Sequence, residues 1–262
     1  AGALGMSSGL FTAPGSYSNV EEMVALGKSL VDANARYFTH LRDEGNTVFD
    51  SMQEAMEFAE QVGVHVQIVH MKLSGTDNWG GAGKAMDLLA DARRTGVKID
   101  CDIYPYTAAS NPLKNLFPPW LQEGGVDAMI ARLGDDNIRI RLREAVDAEG
   151  LNNFGRIPDW DAIRISISPN LPQYAGRTIA DIAAERGIDG FWTALDYIVE
   201  DRGQTRVLVS SISEKDVKDF VRSPDVMIGS DGNSVAPNGT TGQGKPHPRF
   251  YGTFAKVLGQ YS

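Results

Sequence analysis

A single cysteine, Cys101, stands among 262 residues. No internal disulfide framework is therefore available, and a reducing, cytoplasmic setting is the expectation. No run approaches the ~18 apolar residues of a membrane span. The opening residues Ala1-Gly2-Ala3-Leu4-Gly5-Met6 lack the basic n-region of a signal peptide. They also lack an initiator Met and run straight into an apolar stretch, so the chain is expected to be a piece of something longer. Basic residues are scarce, 25 Lys and Arg against 34 Asp and Glu, for a formal charge of -9. That balance supplies no basic stripe for nucleic acid, and solubility is enough to explain it. Gly80-Gly81-Ala82-Gly83-Lys84 has the wrong glycine–lysine spacing for a P-loop. The expected partner is a small molecule, with neither membrane nor nucleic acid involved.

What is present reads as an α/β protein. Hydrophobic residues make up 42% and charged residues 23%, the proportions of an ordinary globular chain. Ala3 to Gly9 reads as a strand. Ser18, with Glu21 three residues on, forms a capping-box pattern before a helix carrying Val20, Met23 and Val24. A strand ends at His40. Thr47 to Val62 reads as a helix with Val48, Met52, Ala55, Ala59 and Val62 on one face, and Gly63 sits at its C-cap. A strand from Val64 to His70, a helix ending near Thr95-Gly96 and a strand from Val97 to Tyr104 complete the series. The ~30-residue strand–helix–strand period predicts a parallel sheet with right-handed crossovers. The strands look uniformly apolar, so helices are expected to cover them.

The alternation breaks after Tyr104. Pro105, Pro112, Pro118 and Pro119 mark a loop, followed by helices near 126–133, 138–148, 178–186 and 190–201 and short strands at 162–168 and 206–210. Residues 105–212 read as an insertion between the last two strands of a barrel, on its catalytic face. A helix starting at Ser213 feeds the strand to Asp231, a Gly/Asn/Thr-rich loop runs to Gly244, and a last helix covers 251–261.

Three strand ends carry side chains with chemistry: His40, His70 and Asp231. In a parallel barrel all strand C-termini open on one face, so these distant residues can converge. Two imidazoles and a carboxylate there point to metal-assisted hydrolysis. Each also has a plainer reading. A lone histidine is more often a hydrogen-bonded structural residue, and an aspartate before glycine often only makes a turn. Lys72 and Arg249 can hold a carboxylate or form surface ion pairs. Tyr104 can be a core aromatic. His65 falls on the opposite strand face from His70 and reads as structural. His247, between two prolines, positions Arg249. Cys101 reads as a buried small hydrophobe.

Several segments together resemble the N-acyl-D-amino-acid deacylases of the amidohydrolase superfamily. They are Ala3-Leu4-Gly5-Met6-Ser7-Ser8-Gly9-Leu10, Thr39-His40-Leu41-Arg42-Asp43-Glu44-Gly45, Gln67-Ile68-Val69-His70-Met71-Lys72, Tyr104-Pro105-Tyr106-Thr107, Phe117-Pro118-Pro119-Trp120, Gly229-Ser230-Asp231-Gly232 and His247-Pro248-Arg249-Phe250-Tyr251-Gly252-Thr253-Phe254. The resemblance implies a (β/α)8 TIM barrel of the amidohydrolase type, here with only the later five strands. It implies that His40 and His70 bind zinc at the ends of barrel strands five and six. Asp231, at the end of strand eight, matches the general base that then acts as acid, and it can also reach a second metal, so one or two zinc ions are expected. Lys72, Tyr104 and Arg249 match the residues around the substrate carboxylate. The implied reaction is zinc-dependent hydrolysis of an N-acyl-D-amino acid to a D-amino acid and a carboxylic acid.

The chain departs from the pattern in one respect. The family's N-terminal His-x-His pair and ligand cysteine have no counterpart, which leaves two protein ligands where catalytic zinc usually has three. Two rival readings follow. One is a cyclic-amide hydrolase of the hydantoinase or dihydroorotase kind, although no strand end offers the lysine such enzymes carbamylate. The other is a catalytically incomplete fragment.

Overall fold

The computed structural model describes residues 3–261 of the protein. Ala1, part of the opening stretch read above, lies outside them with Gly2 and Ser262. Up to Tyr104, strand and helix alternate: β1 (Gly5–Gly9), α1 (Val20–Gly27), β2 (Arg36–His40), α2 (Val48–Val62), β3 (Val66–Ile68), α3 (Ala82–Arg94) and β4 (Ile99–Ile103). A second group follows: β5 (Ala109–Pro112), α4 (Val126–Leu133), α5 (Asp136–Glu149), β6 (Ile163–Ile167), α6 (Ile179–Arg186), α7 (Gly190–Glu200) and β7 (Arg206–Val209). The chain then returns through α8 (Glu214–Arg222) to β8 (Met227–Ile228) and ends in α9 (Arg249–Gln260). Among the described residues no helix is long and apolar enough to cross a membrane.

Local sequence explains most boundaries. α2 buries Val48, Met52, Ala55, Ala59 and Val62 as its spacing predicts, and stops where Gly63 turns left-handed at φ 78°. α6 carries a full capping box between Thr178 and Asp181. At α1 the cap is one residue later than the sequence suggests. Asn19 accepts the Glu22 N–H at 2.8 Å, while the Ser18 N–H closes the preceding turn onto Gly15. β5 falls where only a loop is expected. It pairs with β7 alone, and its last residue, Pro112, sits at an edge where the missing N–H leaves no ladder bond unmade.

Five strands form one parallel sheet in the order β1-β2-β3-β4-β8. Its covered face, including Tyr37, Val66, Ile68, Ile99, Cys101 and Ile103, packs in one core with Met52, Phe58, Ala85 and Leu89 of α2 and α3. The expected uniformly apolar strands hold for that face alone. Gln67, Asp100 and Asp102 alternate onto the other face, where they are half-buried. Between β4 and β8 the chain builds a separate antiparallel sheet, β5-β7-β6, with its own core around Leu116, Phe117, Leu195 and Val207.

Helix α3 has no side-chain cap of its own, because Gly81 stands at its N-cap. The buried Asp216 of α8 supplies one, accepting the Gly80 and Ala82 N–H groups at 2.8 and 3.1 Å. Asp216→Ala removes the partner of both N–H groups and leaves that of Ala82, which is buried, unmatched. It is expected to lower stability by about 1–3 kcal/mol, read as a lower urea midpoint with an unchanged m-value.

Candidate metal centre

The parallel register brings the ends of β2, β3, β4 and β8 side by side. His40 is the last residue of β2, and His70 lies two residues beyond β3 with a left-handed φ of 41°. A non-glycine residue held there signals a constraint from its surroundings. Asp102 of β4 supplies it. One carboxylate oxygen accepts the His70 N–H at 2.8 Å, the other takes the Gln67 side-chain amide, and the Asp102 carbonyl accepts the Met71 N–H at 2.7 Å. A Cβ added to Gly229 would lie 2.5 Å from the same Oδ1, so any side chain there would displace the Asp102 carboxylate.

The two imidazoles meet at 3.0 Å, His40 Nδ1 to His70 Nε2, and Phe11 stacks on His40 with centroids 4.4 Å apart. A third donor joins them. Glu44 Oε1 lies 3.5 Å from His40 Nε2 and 3.3 Å from His70 Nδ1, and the ligand atoms of His40, Glu44 and His70 all lie within 4.8 Å of one another. The sequence reading counts two protein ligands, and Glu44 stands beside them as a third candidate donor. Its spacing of four residues from His40 was the available signal, but the loop around it offers no periodicity.

Lys72 closes the group. Its ammonium donates to Glu44 Oε1 at 2.6 Å, His70 Nδ1 at 2.7 Å and the His70 carbonyl at 2.8 Å, which uses all three protons. Burial pushes the Glu44 carboxyl up, but His40, Lys72 and His70 overcome it and hold the group well below the usual carboxylate range. For Lys72, burial disfavours the ammonium, and Glu44 more than offsets it. Burial pushes His40 down to about 3 against the pull of Glu44, with His70 and Lys72 adding to the effect. The His40 ring is thus neutral, the form that ligates metals. Its Nε2 is buried and, among the described residues, has no hydrogen-bond partner. Two imidazole nitrogens and an ionised carboxylate, one nitrogen orphaned, are a donor set that fits a divalent zinc-type ion.

The remaining sequence-predicted residues form a second group. Asp231, at φ 43°, has a side chain 36% exposed and is held by Arg249 through a 2.7 Å ion pair and a 3.0 Å bond from Nε to its carbonyl. Its carboxylate is not part of the His40–Glu44–His70 cluster. Arg249 is buried and lies 4.6 Å over the Tyr104 ring, while Lys72 lies 5.5 Å from the same ring. Among the described residues the buried Tyr104 hydroxyl has no hydrogen-bond partner, and burial raises its pKa, so it stays a neutral donor. His247 positions Arg249, accepting its backbone N–H at Nδ1 (3.0 Å) while Nε2 donates to the Ala108 carbonyl at 2.8 Å. His65 pairs with Asp100 at 2.6 Å, away from this cluster.

No protein-family model matches the chain. It is similar over its whole length to a D-aminoacylase and an N-acyl-D-glutamate deacylase of Alcaligenes xylosoxydans xylosoxydans, at 26% and 27% identity over 261 residues. In both comparisons it spans 43% of the relative's length. Among solved structures it superposes with a TM-score of 0.73 and 27% identity on the N-acyl-D-glutamate deacylase of Bordetella bronchiseptica, complexed with zinc and a phosphonate inhibitor. A D-aminoacylase described as defining a subset of amidohydrolases matches with a TM-score of 0.71, and a D-aminoacylase with a binuclear metal centre with 0.70. Each structural match takes in all of this chain and 44% of the other. The five-stranded parallel sheet corresponds to part of the barrel of these amidohydrolase-type structures.

The His247 ring is buried, and burial followed by the Arg249 charge pushes it down to about 4 from an ordinary 6.5. As pH falls the unfolded chain takes up this proton first, so stability is intact above about 6.5 and declines towards 4. The decline attributable to His247 is on the order of 3 kcal/mol. It should disappear from urea titrations of His247→Asn run across that window, and an unchanged slope would show that the ring does not carry it.

Proposed function

We propose that this chain, a relative of the N-acyl-D-amino-acid deacylases of the amidohydrolase superfamily, carries the metal-ligating and substrate-anchoring part of a hydrolase that splits N-acyl-D-amino acids into a D-amino acid and a carboxylic acid. The observation that carries the reading is the meeting of His40, Glu44 and His70 beside a buried Tyr104 hydroxyl and the Arg249 guanidinium. Residues 105–212 are read as an insertion between the last two barrel strands, roofing this face.

His40, His70 and Glu44 would hold zinc. When bound, it lowers the pKa of water to ~7 and polarises an amide carbonyl. The chain's own groups divide the rest of the work. Asp231 takes a proton from the attacking water and returns it to the leaving nitrogen, one group serving both steps. Its left-handed backbone and the Arg249 pair hold that carboxylate in one place while leaving it open to solvent. The substrate carboxylate is assigned to Arg249 and Tyr104, with Lys72 alongside. Since Lys72 already donates three bonds inward, the unpartnered Tyr104 hydroxyl is the readier direct donor. On this reading Asp231 would also be the group to reach a second ion, should two bind.

Asp231→Asn keeps the shape and removes the base. In the full-length protein it should cut kcat on N-acetyl-D-methionine and N-acetyl-D-glutamate by about 10²–10⁴-fold, while zinc affinity stays within a few-fold of wild type. An Asn variant that hydrolyses both at the wild-type rate would remove Asp231 from the chemistry. Failure of the wild-type, zinc-loaded protein to hydrolyse any N-acyl-D-amino acid would remove the reaction itself.

A further inference from the structure

The antiparallel unit reaches the metal-ligating residues through one short turn. Leu151 and Gly155 bridge to each other after α5, and the turn they close sits between the loop after β2 and the loop after β3. The contact is backbone against backbone. A Cβ on Gly45 would lie 2.8 Å from Gly155 N, and one on Gly75 would lie 2.9 Å from the Phe154 carbonyl, closer than real Cβ atoms come. Main-chain bonds continue the seam, with Thr76 N–H donating to the Arg156 carbonyl at 2.8 Å and Gly75 N–H to the Ser211 carbonyl at 2.9 Å.

Asn153 stands at the tip of this turn, buried, with a left-handed φ of 60°. Its side-chain Oδ1 accepts the Glu44 backbone N–H at 2.8 Å, and its Nδ2 donates to Glu44 Oε2 at 3.4 Å. Glu44 Oε1 faces the other way, towards Lys72 and His70. The carboxylate is therefore gripped at both oxygens, by the parallel sheet on one side and by the antiparallel unit on the other.

We propose that Asn153 is a positioning residue of the metal centre: it acts through Glu44 on Lys72 and His70, and so ties metal affinity to the docking of the antiparallel unit. This rests on the zinc reading above. The terminal torsion of a glutamate is broad, so a carboxylate held at one oxygen can swing. Without the Asn153 amide, Oε2 of a residue 2% exposed has neither protein nor solvent to bond. Rotation that relieves this moves Oε1 away from Lys72 and the imidazoles. Groups that orient a metal's ligands in this way typically change affinity by about 10- to 100-fold.

Asn153→Gly tests this directly, because glycine adopts the same backbone angle and removes only the amide. Zinc affinity of the full-length protein, measured without substrate by competition with a chromophoric chelator, should weaken about 10- to 100-fold while the circular dichroism spectrum is unchanged. Asn153→Asp keeps the acceptor for the Glu44 N–H but sets a second carboxylate against the first, and should weaken zinc at least as much. Wild-type zinc affinity in Asn153→Gly, with only a lowered thermal midpoint, would overturn the proposal and leave the amide as a stitch in the turn. If Asn153→Gly does not fold, the near-isosteric Asn153→Asp decides by the same measurement. Because no substrate is present, a protein that binds zinc yet hydrolyses nothing would count against the deacylase reading alone.

Discussion

One buried ion pair constrains everything around it. Glu44 and Lys72 are 2% and 3% exposed, so their charges are out of reach of solvent. Such a pair is tolerable only where the remaining protons and lone pairs are also satisfied. Here they are, since the ammonium donates three bonds and the carboxylate is approached at both oxygens. Meeting that condition fixes the loop after β2 against the end of β3, and with it the spacing of His40 and His70. It also draws in Asn153, from a unit 109 residues away along the chain. The same contacts that stabilise the fold thus set the directions in which the imidazoles point.

Two strained backbones mark where that rigidity is used. His70 and Asp231 both sit in the left-handed region without being glycine. Each is held there by one neighbouring side chain. Asp102 straps the His70 N–H to β4, and Arg249 grips Asp231 at carboxylate and carbonyl. Strain of this kind persists only where the surroundings over-determine it. In both cases the backbone leaves the extended conformation of the preceding strand at that residue.

Features written in a local pattern were legible in the sequence. The apolar stripe of α2 and the stop at Gly63 follow from spacing alone, as does the strand that ends on His40; the strand read as Val64 to His70 is shorter, Val66–Ile68, with His70 two residues beyond it. Features that depend on distant partners were not. Glu44 sits in a loop among polar neighbours, and only Lys72, 28 residues on, gives its carboxylate a role. Asp102 lies in a strand read as apolar, because one face of that strand turns inward towards polar groups. β5 hides behind Pro112, which discourages a strand assignment until the partner strand shows it to be an edge. The resemblance carried Asp231 and Arg249, but not that they hold each other.

The charges around the cluster bear on the proposed pairing of a metal with an anionic substrate. Lys72 neutralises Glu44, Arg249 neutralises Asp231, and the His40 ring is neutral. Arg206 of β7 adds a half-buried guanidinium with no hydrogen bond or ion pair of its side chain among the described residues. Burial and the nearby Arg249 both work against its charge, with Asp231 favouring it. Asp102, half-buried against the His70 N–H, adds a carboxylate, so the side chains around the cluster sum to roughly no net charge before any ligand arrives. A divalent cation alone would bring uncompensated positive charge into a medium that screens poorly. A carboxylate-bearing ligand would relieve it. Cation and anion would then favour each other's binding, which agrees with the proposed reading, in which the substrate is anionic at the end away from the scissile bond.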